Sequence, residues 1–194
     1  MRLFIAVNFD NTVKEQLLEI QAQLRSQSTR GNFTRPENLH LTLAFLGETS
    51  EEKVPSILKI IDDIHVLYRV LPEAKPETSS LEVSFTHTGC FTHSHKELWW
   101  IGADETCQGL SRLRAIHGEL IKRLPDAGFS VDKRPFNPHI TLGREVKHLR
   151  QITLTCNEIK VKVDRLSLMK SEHIGGKLTY TELFPAALPP LNQY

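Results

Sequence analysis

The pattern of apolar and polar positions in the first half of the chain predicts a strand followed by two helices. Residues 2–8 form a short apolar run, typical of a buried strand. Asp10 is suited to cap a helix that reaches to about Ser28, because its carboxylate can accept hydrogen bonds from the first turn. This helix repeats apolar residues on one face, at Val13, Leu17, Ile20 and Leu24. Thr49 and Glu52 fit a capping box that opens a second amphipathic helix.

The second half mixes strands with one long helix. Residues 81–86 and 97–103 predict two strands joined by a long histidine-rich loop, and an amphipathic helix follows from about Asp104 to Leu124. Alternating apolar residues between 159 and 182 predict the closing strands. Residues 72–80 contain proline and several polar residues, and they predict a loop that forms the internal seam. This mixed order favours an α+β fold with antiparallel sheets over a doubly wound parallel sheet.

Two further predicted strands, residues 39–46 and 137–146, each contain the pattern His-x-Thr-apolar. The two copies are His40-Leu41-Thr42-Leu43 and His139-Ile140-Thr141-Leu142. Residues two apart on a strand point to the same face, so each histidine lies beside its threonine while the residue between them faces the core. Chance predicts only about 0.3 such tetrapeptides in a chain with nine histidines and this composition. Two copies, one in each half, therefore indicate function.

Two imidazoles and two hydroxyls around one cleft are suited to displacement at phosphorus. One imidazole can remove a proton from the attacking oxygen while the other donates a proton to the leaving oxygen. The threonine hydroxyls can hydrogen-bond the phosphate oxygens as charge builds there, and no metal is required. Neither motif contains a carboxylate that would move a histidine far from its ordinary pKa of about 6.5, so we expect a bell-shaped dependence of turnover on pH with an optimum within a unit or two of neutrality.

Composition limits the classes of protein that fit. The 194 residues, 40% of them hydrophobic, predict one globular unit. No stretch approaches the roughly 20 apolar residues of a membrane span, and the three cysteines are widely spaced, so we expect a cytoplasmic protein with reduced thiols. The formal net charge of +1 gives no general attraction to nucleic acid. Any affinity for RNA must come from local basic residues near the motifs, namely Arg30, Arg35, Lys133, Arg134, Arg144 and Lys147.

A second constellation lies in the histidine-rich loop, where His87, Cys90, His93 and His95 stand close together in sequence. On spacing alone these side chains could bind zinc. They lie in a single hairpin, however, and the chain offers no second group of ligands elsewhere. We interpret the segment as a solvated loop and predict no metal.

Longer blocks around the motifs make the sequence recognisable. It resembles the RNA 2′,3′-cyclic phosphodiesterases, also called 2′-5′ RNA ligases, of the two-histidine phosphoesterase superfamily. The resemblance covers nearly the whole chain and is carried by RLFIAV near the N-terminus, NLHLTLAFLGE at 38–48, LWWIG at 98–102, RPFNPHITLGR at 134–144 and SLMKSEHIGGKLTYTELF at 167–184.

The resemblance implies a bilobal, duplicated fold in which residues 1–194 form a single domain of two pseudo-repeated lobes. Two antiparallel sheets would face a central cleft, with the helices packed outside. It also implies that Phe45 and Arg144 bind substrate. Regular strand alternation would instead turn both side chains away from the cleft, which leaves plain packing as the other interpretation of Phe45. A bend near Gly143 could redirect Arg144 towards phosphate. Arg134, just before the second motif, is the further residue we expect to bind phosphate.

The predicted activity is metal-independent hydrolysis of a 2′,3′-cyclic phosphate at an RNA end to a 2′-phosphate. By analogy with the family, His139 is the base and His40 the acid. The same site could join RNA ends by a 2′-5′ linkage without ATP. We expect no cofactor, a monomer, and RNA ends such as those of tRNA fragments as partners. A phosphodiesterase of small cyclic nucleotides and a non-catalytic module that binds RNA ends remain the alternatives.

Overall fold

The computed structural model describes residues 1–70, 81–132 and 134–185. The predicted loop at 72–80 and the basic residue Lys133 lie outside the described residues. Three helices are present in this part of the chain: α1 (Asn11–Ser26), α2 (Val54–Val70) and α3 (Gln108–Asp126). The strands are β1 (Arg2–Asn8), β2 (Arg30–Phe33), β3 (His40–Glu48), β4 (Leu81–His93), β5 (Lys96–Ala103), β6 (His139–Lys147), β7 (Ile159–Val163), β8 (Ser167–Ile174) and β9 (Lys177–Pro185).

The helix starts follow from local hydrogen bonds. Asp10 caps α1 as predicted, because its carboxylate accepts from the Val13 N–H at 2.8 Å. The predicted cap of α2 is wrong: the buried Thr49 hydroxyl turns back and donates to the Gly47 carbonyl at 3.3 Å. A short 3-10 turn, Glu51–Lys53, leads into α2 instead. Helix α3 begins at Gln108, four residues later than predicted.

The predicted histidine-rich loop is also wrong, since it is part of a long hairpin. Strand β4 continues to His93 and pairs with β5 down to Lys96. Only Ser94 and His95 form the turn, with φ values of 48° and 64°. Two consecutive residues with positive φ give the tight turn that best matches the twist of paired strands. Neither residue is a glycine, so the amino-acid pattern contained little signal for such a turn.

The nine strands of the described residues pair antiparallel throughout and form one sheet, in the order β7-β4-β5-β6-β3-β1-β8-β9, with β2 added beside β6. The predicted α+β class is confirmed. The sheet has two halves, one centred on β3 and β1 and the other on β6 and β5. They were predicted as separate sheets, and they meet through one pair of residues, Leu41 opposite Ile140.

The two faces of this sheet differ in what covers them. The three helices and the alternate strand residues form one core, in which Leu41 and Ile140 are fully buried. The other side, which we call the open face, carries a small cluster around Phe4 and Tyr180. Because strand side chains alternate, the histidines flanking Leu41 and Ile140 point to the open face.

Candidate active site

A bulge in β3 determines where Phe45 points. The pairing of β1 with β3 skips Leu43, so that Leu43 and Ala44 are both buried in succession. The alternation therefore changes phase, and Phe45 emerges on the open face with 57% of its surface exposed. Its ring centroid lies 6.2 Å from that of Phe4. The expectation that regular alternation would bury Phe45 is wrong.

Strand β6 contains a corresponding bulge, which turns Arg144 towards the histidines. The pairing of β5 with β6 skips Leu142, and Leu142 and Gly143 are both buried. The irregularity lies where a bend near Gly143 was expected. Arg144 follows on the open face, close enough for its charge to lower the pKa of both His40 and His139. The structure thus brings the two motifs and Arg144 together.

Each imidazole is held through its Nδ1 atom by the backbone. The Nδ1 of His40 lies 2.7 Å from the carbonyl oxygen of Asn38, and that of His139 lies 2.8 Å from the carbonyl oxygen of Asn137. A carbonyl can only accept, so each Nδ1 carries the hydrogen and each Nε2 is left to gain or lose a proton. Our sequence reasoning missed these two asparagines, although both motifs share an asparagine two residues before the histidine.

The two Nε2 atoms have different surroundings. His40 Nε2 lies 2.9 Å from the Thr42 hydroxyl, which donates to it while the imidazole is neutral. Within the described parts of the chain, no hydrogen bond reaches His139 Nε2. Thr141 shares the open face with His139, since Ile140 between them is buried. The lone pair of His139 is therefore open to a ligand, whereas that of His40 is covered by a hydroxyl.

Burial favours the neutral form of both imidazoles. It lowers the pKa of His40 from 6.5 to about 4; the Asn38 carbonyl opposes this, and the charges of Arg144 and His139 add to it. Burial, followed by the charge of Arg144, also lowers the pKa of His139. The two pKa values therefore lie below the ordinary histidine value from which an optimum near neutrality was expected. The cause lies in tertiary packing and not in the motifs themselves.

Aromatic rings supply much of this burial. The ring centroids nearest the two imidazoles are those of Phe4 (4.9 Å) and Tyr180 (5.2 Å) at His40, and those of Phe91 (5.2 Å) and Trp100 (6.3 Å) at His139. These rings come from β1, β9, β4 and β5, and the sequence alone did not indicate that they would converge. They displace water from the imidazoles and so disfavour the charged form.

Asn38 links the His40 motif to β9. Its buried side chain donates to the Leu178 carbonyl at 2.9 Å and accepts from the Tyr180 N–H at 3.2 Å. Its own carbonyl holds His40. One residue therefore fixes both the imidazole and the neighbouring Tyr180 ring, and it is a positioning residue.

We expect Asn38→Ala to lower the free energy of unfolding by about 1–3 kcal/mol, because the Tyr180 N–H loses its acceptor. Turnover should fall about tenfold, because the backbone of residue 38, whose carbonyl orients His40, is no longer held against β9 by the amide side chain. Chemical denaturation and steady-state kinetics would measure the two effects. Asn38→Asp keeps the acceptor for the Tyr180 N–H, so its stability and turnover should lie between those of the parent protein and Asn38→Ala. Asn157→Ala, at an exposed asparagine, serves as the control. Unchanged stability and turnover in Asn38→Ala would contradict the assigned role.

Arg134 lies in an exposed ion pair, 86% accessible, in which its Nε is 2.9 Å from a carboxylate oxygen of Asp132. This pair lowers the pKa of Asp132 to about 2. The described contacts of Arg134 are with Asp132 and not with either histidine. Its proposed contact with phosphate stays a prediction.

The hairpin residues considered as zinc ligands have other neighbours. The ring of His87 meets Trp100 edge-on at 5.6 Å, and the Cys90 Sγ lies 3.9 Å from the Thr92 hydroxyl. In the ranges that the structure describes, no three His, Cys, Asp or Glu side chains gather closely enough to hold a metal ion. Among the helices of the same ranges, none combines the length and the apolar character needed to cross a membrane.

Comparison with known proteins agrees with this geometry. The family model of the 2′-5′ RNA ligase superfamily matches residues 9–175. The chain belongs to this superfamily. The RNA 2′,3′-cyclic phosphodiesterase of Thermotoga maritima is 34% identical over 147 residues, covering 74% of this chain and 70% of that protein. The enzyme of the same name from Methanocaldococcus jannaschii is 28% identical over 192 residues, covering 98% and 94%.

Solved structures extend the likeness to the whole fold. The crystal structure of Escherichia coli LigT complexed with 3′-AMP superposes with a TM-score of 0.74 at 28% identity, over 97% of this chain and 98% of that one. A protein from Thermus thermophilus gives the same TM-score, identity and coverage. The curled antiparallel sheet with outer helices is therefore common to this chain and these two proteins.

Proposed function

We propose that this member of the superfamily opens the 2′,3′-cyclic phosphate at the end of an RNA strand, adding water to leave a 2′-phosphate. The main support for this function is that two imidazoles lie on the same face of the sheet, beside Arg144. Each imidazole is held by a backbone carbonyl through Nδ1, which leaves Nε2 for the substrate. The relatives from Thermotoga and Methanocaldococcus are RNA 2′,3′-cyclic phosphodiesterases, and a nucleotide, 3′-AMP, occupies the LigT structure.

The reaction needs one proton removed and one delivered. His139 Nε2, whose lone pair is open, takes a proton from water as the water oxygen bonds to phosphorus. The bond from phosphorus to O3′ breaks, and His40 Nε2–H delivers a proton to O3′. Because burial lowers the pKa of His40 to about 4, His40 gains its proton as the substrate binds. The negative charge of the cyclic phosphate favours this, because an anion beside an imidazole raises its pKa.

The remaining side chains of the open face hold the substrate. Thr42 and Thr141 donate to the non-bridging phosphate oxygens in this scheme, and when Thr42 does so it releases the lone pair of His40. Arg144 stabilises the charge that develops on those oxygens. The exposed ring of Phe45 offers a surface on which the terminal base stacks.

The superfamily's name favours a second reaction at the same site. If an RNA 5′-hydroxyl replaces water as the nucleophile, the same displacement forms a 2′-5′ phosphodiester, and opening of the strained ring drives it without ATP. In either reaction the substrates would be RNA ends left by cleavage, tRNA fragments among them. We infer that the protein is a monomer and that it acts on such ends in the cytoplasm.

Incubation of a dinucleotide ending in a 2′,3′-cyclic phosphate, with EDTA present, tests the hydrolysis. We expect turnover and a product carrying only a 2′-phosphate, identified by phosphorus NMR. Turnover of cyclic mononucleotides but not of the dinucleotide would favour an enzyme of small cyclic nucleotides. Binding without turnover would favour an RNA-end-binding module, and loss of turnover in EDTA would contradict a metal-free mechanism.

The lowered pKa values predict an acidic optimum for kcat/KM. The reactive form has one histidine protonated and the other neutral. Below both pKa values the base is lost, and above both the acid is lost, so kcat/KM peaks between them. Since the pKa of His40 is about 4 and that of His139 lies below 6.5, the alkaline decline should begin below pH 6.5. The decline of kcat should lie at higher pH, because bound phosphate raises the pKa of the acid.

A direct measurement checks the cause of this profile. Proton NMR of the free protein, with His40 assigned by comparison with His40→Ala, should show its ring titrating near pH 4. A His40 ring that titrates near 6.5 in the free protein would contradict the explanation.

A further inference from the structure

A groove of about 420 Å³ opens beside the active site, between the end of α1, strand β2 and the start of β9. Its volume falls within the range of about 300–1,000 Å³ that is usual for small-molecule sites. The residues of its wall that matter here are Arg25, Phe33, Arg35, Arg144, Lys177 and Tyr180.

The groove is continuous with the catalytic histidines. Arg144 and Tyr180 belong both to its wall and to the surroundings of His40, whose ring meets Tyr180 edge-on at 5.2 Å. Asn38, which holds His40, also lines it. A ligand bound at the histidines can therefore continue into the groove without leaving the protein surface.

The groove wall carries four cationic side chains and no carboxylate. Two carboxylates lie just outside it. Glu37 pairs with Arg35 at 2.8 Å, and Glu145 accepts from Asn32 at 3.0 Å and pairs with Lys96. Arg35 is thus partly neutralised, and it also donates to the Leu178 carbonyl and the Thr179 hydroxyl.

The other three cations face the groove with their charge uncompensated. In the described ranges, Arg25, Arg144 and Lys177 form no ion pair. Arg144 lies at the catalytic end, whereas Arg25 and Lys177 lie on the far walls, on α1 and β9. A wall with a net positive charge is suited to a chain that carries repeated negative charges.

One cation is also preorganised by an aromatic ring. The guanidinium of Arg25 lies over the ring of Phe33, 4.1 Å from its centroid. This contact holds a planar cation along the groove, where it can bind a phosphate or stack on a base. Cationic side chains combined with aromatic rings are typical of sites that bind single-stranded nucleic acid.

We propose that this groove binds the RNA strand on the 5′ side of the terminal nucleotide, with the upstream phosphates contacting Lys177 and Arg25. The cyclic phosphate closes the 3′ end, so a strand held at the histidines can continue only from its 5′ side. This proposal rests on the proposed function, and it makes a strand end the preferred substrate over a cyclic mononucleotide.

The test compares two substrates, uridine 2′,3′-cyclic phosphate and a pentauridylate that ends in the same cyclic phosphate. The parent protein should have a KM for the pentamer about tenfold or more below that for the mononucleotide. Lys177→Ala and Arg25→Ala should each raise the KM for the pentamer several-fold with little change in kcat, and leave the mononucleotide kinetics alone. Lys122→Ala, which removes a lysine from the helix-covered side on α3, should change neither.

The dependence of kcat/KM on salt concentration is a second measurement, and a substitution that only perturbs the fold would not change it. Each phosphate that a variant no longer neutralises should make the slope of log kcat/KM for the pentamer against log salt concentration shallower by about 0.7. The mononucleotide slope should stay the same in all variants. Circular dichroism would confirm that both variants fold.

The outcomes separate this proposal from the function on which it rests. If neither substrate is turned over, the proposed function fails. If the parent turns over both with equal KM, or if the variants raise both KM values alike, the groove does not hold the upstream strand although the enzyme activity stands. If the variants impair only joining to a 5′-hydroxyl oligonucleotide, the groove holds the acceptor strand and our proposal is overturned.

Discussion

Replacing His40 or His139 with alanine should lower the turnover of a cyclic-phosphate dinucleotide by about 10²–10⁴-fold, the usual contribution of a general acid or base. Each imidazole is presented to the site through Nε2, the ring atom that is left to gain or lose a proton. Steady-state kinetics with 2′-phosphate as the measured product would test both variants. The fold should survive, because the buried neighbours Leu41 and Ile140 hold the strands in register.

The control for this experiment is His173→Ala, which removes an exposed histidine from β8 and should leave turnover unchanged. The double variant His40→Ala/His139→Ala should be little slower than either single variant, since the two groups act on one transition state. Parental turnover in either single variant would rule out the two-histidine mechanism. If one variant keeps substantial activity, its histidine serves binding and not proton transfer.

Arg144→Ala should lower kcat/KM by roughly 10- to 100-fold, because a hydrogen bond to a charged group is worth about 1.5–3 kcal/mol. Arg144→Lys should recover part of the loss, since it restores the charge but not the planar fork. Arg144→Ala should also move the alkaline limb of kcat/KM to higher pH, because the arginine charge lowers the pKa of both histidines. An unchanged profile would contradict this electrostatic contact.

Arg134→Ala is the informative comparison for Arg144. The Asp132 carboxylate already binds the Arg134 guanidinium, so we expect a smaller loss than at Arg144. A loss as large as that of Arg144→Ala would show that Arg134 leaves its ion pair to bind phosphate. The exposed Arg150→Ala controls for the removal of one positive charge.

Most of the local structure could be predicted from the sequence, because apolar periodicity indicates helices and strands and a capping residue indicates where a helix begins. Asp10 marked the start of α1, and the two motifs marked the strands that carry the histidines. The directions of Phe45 and Arg144 could not be derived in this way. Each depends on a bulge, and a bulge is set by how a strand pairs with its neighbour and not by its own alternation.

The electrostatics of the site were harder still to predict. A motif shows which groups can titrate, but the pKa of His40 depends on rings that arrive from β1 and β9, far away in sequence. The turn at Ser94 and His95 had the same difficulty. Its residues carry no turn signature, and the pairing of β4 with β5 imposes the positive φ values.

The single residue pair that joins the two halves of the sheet relates them by a local symmetry. Leu41 and Ile140 occupy the same position in the two motifs and pair antiparallel, so a local two-fold axis passes between them. Two copies of one unit in an isologous dimer would meet in this way. Each unit would bring one imidazole and one hydroxyl. The two units differ five residues after the histidine, where one carries Phe45 and the other Arg144. Because of that difference, the two symmetrically placed histidines meet different parts of the substrate, so its orientation in the site is fixed.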